Sequence, residues 1–158
     1  MQRRHFFPAL AALVSVPLSQ RLFAHHGWSS FDETRPLYIA GTVKSLKWQN
    51  PHAEIVIAVA KDAALPADLA KRSAPAQTAS VDGAKILAAT TLPKKRGDWT
   101  IELSPMTRIE AWKVPTPKVG DTVAAVAYSF KDEKGEAFAR VEYLIIGDKF
   151  YGLRSLPA

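Results

Sequence analysis

Leu37-Tyr38-Ile39-Ala40-Gly41-Thr42-Val43-Lys44-Ser45-Leu46-Lys47-Trp48 is the stretch that sets the fold class of this chain. Leu37, Ile39, Gly41 and Val43 alternate on one face, the period-two pattern of a strand. The apolar phase then slips to Leu46 and Trp48. A slip of that kind predicts a bulge near Lys44-Ser45 and a bent first strand, which suits barrel closure. Asn50-Pro51 breaks the run. A second strand is expected over 52–59, with Ile55, Ile57 and Val59 on one face and Val56 and Ala58 on the other. Proline is tolerated at the head of such a strand but not inside it.

Further along, Trp99, Ile101 and Leu103 alternate with Thr100 and Glu102, predicting a strand over 98–103. Ser104-Pro105 reads as a helix start, a capping hydroxyl followed by proline at the first helical position. That helix should be short, because Pro115 and Pro117 stop it. Strands are expected over 122–130 and 136–146, joined by a charged hairpin loop, with a short edge strand over 149–153. Residues 61–97 are rich in Ala, Pro and Lys. They read as a solvated, mobile insertion, with a helical turn or two over 66–71 and a strand over 86–91. The expected fold is mainly β: a small OB-like barrel of five to six strands, with one short helix between strands 3 and 4. A flat sandwich would need about seven strands.

Residues 1–24 read as a cleavable export signal. Arg3-Arg4 precede an apolar run over 6–18, too short for a bilayer, which needs roughly 20 residues. Ala24 offers a small residue at the cut. The paired arginines and Arg21 suggest the twin-arginine route, with an ordinary secretory signal as the alternative. The expected location is the periplasm or beyond, with no membrane span after cleavage. Removing 24 of the 158 residues leaves one domain of 134, enough for a single core. The chain has no cysteine, which excludes disulfides and thiolate metal sites. The formal charge of +6 includes three leader arginines, so the exported part is only mildly basic. A periplasmic address makes nucleic acid an unexpected partner. An envelope protein is the expected kind, and oligomeric state is not legible.

The chemistry concentrates in the histidines. Of the four, His5 falls in the leader, and His25, His26 and His52 remain. Cleavage after Ala24 makes His25 the terminal residue. Its α-amine and ring Nδ1 can then chelate one metal, and a second imidazole completes a T-shaped set of three nitrogens, a histidine brace. Such a set favours Cu(II). The amine's ordinary pKa near ~8 lets a metal displace its proton. His52, directed by the preceding proline, is the expected third donor, with Asn50 closing the corner. Glu54 is a candidate to orient the ring or approach the metal axially, and Trp48 to wall the site. His26 offers a competing grip through amine, amide and imidazole. Zinc is the alternative metal, with Asp32 as a carboxylate donor. The competing interpretation is a frayed His-His terminus and a turn histidine bonded to a carbonyl.

Other chemistry is sparse. Trp28, Trp48, Trp99 and Trp112 read mainly as core, with ring stacking on a ligand as the OB-type alternative. Asp32-Glu33 and Asp132-Glu133 read as solvated pairs. There is no glycine-rich phosphate loop, and no serine has a nucleophile elbow.

His25-His26-Gly27-Trp28 with Phe31-Asp32, Gly41-Thr42-Val43, Trp48-Gln49-Asn50-Pro51-His52, Trp99 with Glu102, Ser104-Pro105 and Lys118-Val119-Gly120-Asp121-Thr122-Val123 together carry a resemblance. The chain resembles a domain-of-unknown-function family of small exported bacterial proteins over nearly all of its exported part. The resemblance implies export and a compact β-domain, and it transfers no activity. The long insertion departs from that pattern. Periplasmic copper carriers of other folds are an analogy at the site alone. The leading expectation is periplasmic copper binding or delivery through His25 and His52. A metal-free OB-like binding or assembly module comes next, and a zinc-assisted hydrolase last.

Overall fold

The computed structural model describes residues 27–158. The leader, His25 and His26 lie outside the described residues. The strands are β1 (Leu37–Lys47), β2 (Glu54–Val59), β3 (Gly97–Glu102), β4 (Thr122–Ser129), β5 (Phe138–Ile146) and β6 (Lys149–Gly152). The helices are α1 (Gly83–Ala89) and α2 (Met106–Ala111), with single 3-10 turns at Trp28–Ser30, Leu69–Lys71 and Lys131–Glu133.

Five strands close into a barrel. β1 pairs antiparallel with both β2 and β4, β2 with β3, and β4 with β5. A parallel pairing of β3 with β5 shuts the ring. β6 adds to the far half of β5, outside that circuit. This is the strand order expected of an OB-like barrel, with α2 between β3 and β4. The β1–β2 register shifts between Val43 and Ser45, where the apolar phase slips, so the bulge falls where the sequence places it. A Cβ at Gly41 would collide with the Ala58 carbonyl, so glycine lets β2 approach β1 closely there.

Ile39, Val43, Ile55, Ile57, Trp99, Ile101, Ala125 and Val141 fill the main core. A second cluster lies on the other face of β4 and β5, where Val126, Tyr143 and Ile145 meet Leu69 and Leu87. β4 and β5 are therefore buried on both faces.

That cluster overturns the reading of 61–97 as a solvated loop. Leu69, Leu87 and Gln77 are all buried. The strand expected over 86–91 is instead part of α1, whose N-terminus is capped by Asp82 Oδ1 accepting from the Lys85 amide at 3.0 Å. Ile86 and Leu87 then reach the barrel from a helical face, which an alternating strand pattern could not supply. Thr91 alone keeps an extended contact, a single parallel bridge to Leu37. The expected turn over 66–71 is the 3-10 turn at Leu69–Lys71.

The hairpin loop also differs. Glu133 is not solvated: its carboxylate accepts from the Lys94 and Lys95 amides and from Arg35. Asp132 and Glu133 both take left-handed backbone conformations, and these bonds hold Glu133 there.

Candidate functional site

His52 stands just before β2, after a cis Asn50–Pro51 bond. Two backbone bonds lock its neighbour beside the end of β3. The Ala53 amide donates to the Ser104 carbonyl at 3.0 Å, and the Leu103 amide donates to the Ala53 carbonyl at 2.8 Å. Asn50 Oδ1 accepts from the Met106 amide at 3.1 Å and ties this corner to the first turn of α2. Asn50 thus takes a role expected of Ser104. The Ser104 hydroxyl does not cap the helix; it is buried, with no hydrogen-bond partner among the described residues.

Glu102 is the carboxylate beside the histidine. Its Oε1 lies 3.8 Å from His52 Nδ1, close enough for charge attraction but too long for a direct hydrogen bond. The same oxygen accepts from Arg140 Nε at 2.8 Å and Nη2 at 2.6 Å. The parallel β3–β5 register places Glu102 opposite Arg140, which is why this ion pair forms. Glu54 sits across from Glu102 on β2, and its carboxylate lies 3.8 Å from Lys47 Nζ.

These groups open onto a cleft of about 180 Å³. Trp28, His52, Glu102, Ser104, Arg108 and Arg154 are among its walls. Trp28 packs edge-on against Phe31 and Tyr128. The Arg154 guanidinium lies 3.8 Å from its ring centroid, and that of Arg140 lies at 5.4 Å. Arg154 in turn donates to Glu142 at 2.7 Å and to Glu33 at 2.6 Å. Glu142 is fully buried and also accepts from Gln77 Nε2 at 2.8 Å. Arg108 donates to the Leu153 carbonyl at 2.9 Å, and burial lowers its pKa.

Residues 12–80 match a family model described as Family of unknown function (DUF6152). The matched region carries His25, His26, Trp28 and His52 and ends before Glu102, Ser104 and the cleft arginines. No curated protein and no solved structure matches the chain.

His52 and Trp28 line the same cleft, and His25 and His26 lie outside the described residues. Asp32 Oδ1 accepts from the Thr34 amide at 3.1 Å and from the Thr34 hydroxyl. Trp48 packs partly buried against the main core. Neither Asp32, Trp48 nor Glu54 lines the cleft. Among the described residues, no group of three or more His, Cys, Asp or Glu is placed to hold a metal. Among the described residues, no helix is long and apolar enough to cross a membrane.

The sequence reading passed over Glu102, Ser104, Arg108, Arg140 and Arg154 as site residues. Glu102 had a usable signal, since it alternates with the buried Trp99 and Ile101 on a strand pairing with the one His52 heads. The arginines had none, because strand pairing and the C-terminal segment bring them in from distant positions.

Proposed function

We propose that this chain is an exported metal-binding protein, with copper as its metal and binding or delivery as its role. The observation that carries this reading is that Trp28 and His52 line one cleft. Trp28 is the third residue after His25, and three residues of chain span at most about 11 Å. A terminal His25 is thus tethered within reach of the cleft. Its amine and Nδ1 supply two nitrogens and His52 supplies the third, a donor set suited to Cu(II). His52 Nδ1 is the nitrogen nearer Glu102, so we assign Nε2 to the metal. A carboxylate behind a ligating imidazole orients the ring and raises its basicity. His26 is the alternative donor from the same terminus. Zinc is the second choice, because it would call for a carboxylate ligand and Asp32 is already engaged by Thr34.

A metal-free OB-like module that binds a ligand or another envelope protein is the second reading. The three arginines in the cleft wall favour it.

The deciding experiment is a Cu(II) titration followed by EPR, on protein whose first residue is shown by intact mass to be His25. One equivalent should bind with nitrogen hyperfine structure, and His52→Ala should weaken uptake at least tenfold and alter the spectrum. Unchanged affinity and spectrum in that variant would remove His52 from the site. A native terminus elsewhere would remove the brace.

A further inference from the structure

We propose that the cleft is a binding site for a small carboxylate, held by the Arg108 guanidinium and the Ser104 hydroxyl beside His52. This goes beyond the metal reading and does not depend on it.

Two independent observations carry it. First, Ser104 lines the cleft, and its buried hydroxyl has no partner among the described residues. Burying an unpaired hydroxyl costs stability, and an alanine would avoid that cost. A ligand that accepts its hydrogen bond would offset that cost. Second, Arg108 differs from its two neighbours. Arg140 is neutralised by Glu102, and Arg154 by Glu142 and Glu33. Arg108 has only the Leu153 carbonyl, with no carboxylate partner among the described residues. It is a partly desolvated cation with donors to spare.

The class of ligand follows from charge and shape. A guanidinium fork and one hydroxyl suit the two oxygens of a carboxylate. A phosphate dianion has more oxygens to satisfy than one guanidinium fork and one hydroxyl supply. The cleft's volume admits only a small molecule.

The test titrates acetate, propionate and inorganic phosphate separately into the metal-free full chain, followed by 15N–1H spectra. The expected result is saturable shifts of the Trp28 indole and the Ser104 amide with both carboxylates. Ser104→Ala should weaken binding about tenfold, the loss expected for one bond to a charged group, without lowering Tm. Arg108→Gln should weaken it further; should that variant misfold, Ser104→Ala still decides. Absence of saturable shifts at these positions, or unchanged carboxylate binding in Ser104→Ala, would overturn the proposal. Tighter binding of phosphate would overturn the assigned class. A chain carrying His25→Ala and His26→Ala should keep carboxylate binding while losing copper. Failed copper uptake with intact carboxylate binding would sink the metal reading alone.

Discussion

The Arg154 guanidinium stacks on the Trp28 ring at 3.8 Å while its Nε donates to the fully buried Glu142. One side chain thus ties β5, which closes the barrel, to Trp28. Cation–π attraction and a charge-assisted bond act on the same group.

Arg154→Ala should therefore be among the costlier single changes in the molecule. It would leave Glu142 with only Gln77 as a side-chain donor, and breaking a buried ion pair from one side costs about 3–5 kcal/mol. Arg154→Lys should recover part of this, since it restores charge but neither the fork nor the stack. Adding Glu142→Gln to Arg154→Ala should restore stability relative to the single variant. Urea denaturation of the three variants checks the ordering, and a lone Arg154→Ala loss under 1 kcal/mol would contradict it.

Glu102→Gln probes the carboxylate behind His52. If His52 ligates copper, weakening that outer partner should lower copper affinity by about 10–100-fold. The same change loosens the Arg140 pair, so stability should drop by about 1–3 kcal/mol. Competition titration with a copper chelator on protein beginning at His25 reads the first effect, and urea denaturation the second. Full copper affinity despite the stability loss would show that Glu102 serves the barrel alone.

Glu133 makes stability depend on acid. Burial alone would raise its pKa, but the Lys94 and Lys95 amides and Arg35 outweigh this and hold it below the ordinary value of 4.5. A carboxylate depressed in the folded state contributes fully above its unfolded pKa. That contribution is lost as pH falls from about 4.5 through the lower folded value. Glu133→Gln should cost about 1–3 kcal/mol at pH 7, and the gap from wild type should narrow below about pH 4.5. Thermal unfolding from pH 3 to 7 follows it; a gap that widens in acid would contradict a depressed Glu133 pKa.

Leu87→Ala measures how far the insertion is part of the core. Leu87 is 1% exposed among Leu69, Val126 and Tyr143, so truncation should cost about 2–4 kcal/mol. A loop only loosely apposed to the barrel would lose less than 0.5 kcal/mol. Chemical denaturation distinguishes the two.

The barrel was legible because its signals are local. The phase slip after Val43, the turn at Gly120-Asp121 and the alternation through Trp99 and Ile101 each lie within a few residues, and each element stands where it was expected. The insertion was misread because Ala-rich composition hides which face is buried. The clue lay outside it: residues 123–127 and 143–146 carry apolar or aromatic side chains at every position, and such strands need a second cover. The capping role of Ser104 was misread for a similar reason, since Asn50 competes for the same helix end from 56 residues away.

By itself the sequence determined the strand periods, the bulge and the short helix, because backbone sterics and apolar alternation act between near neighbours. Only the tertiary structure decided that Glu102 lies beside His52, that Trp28 rather than Trp48 lines the cleft, and that Arg108 and Ser104 share its wall. Those juxtapositions depend on register between distant strands and on barrel closure through β3 and β5, and no local pattern encodes either.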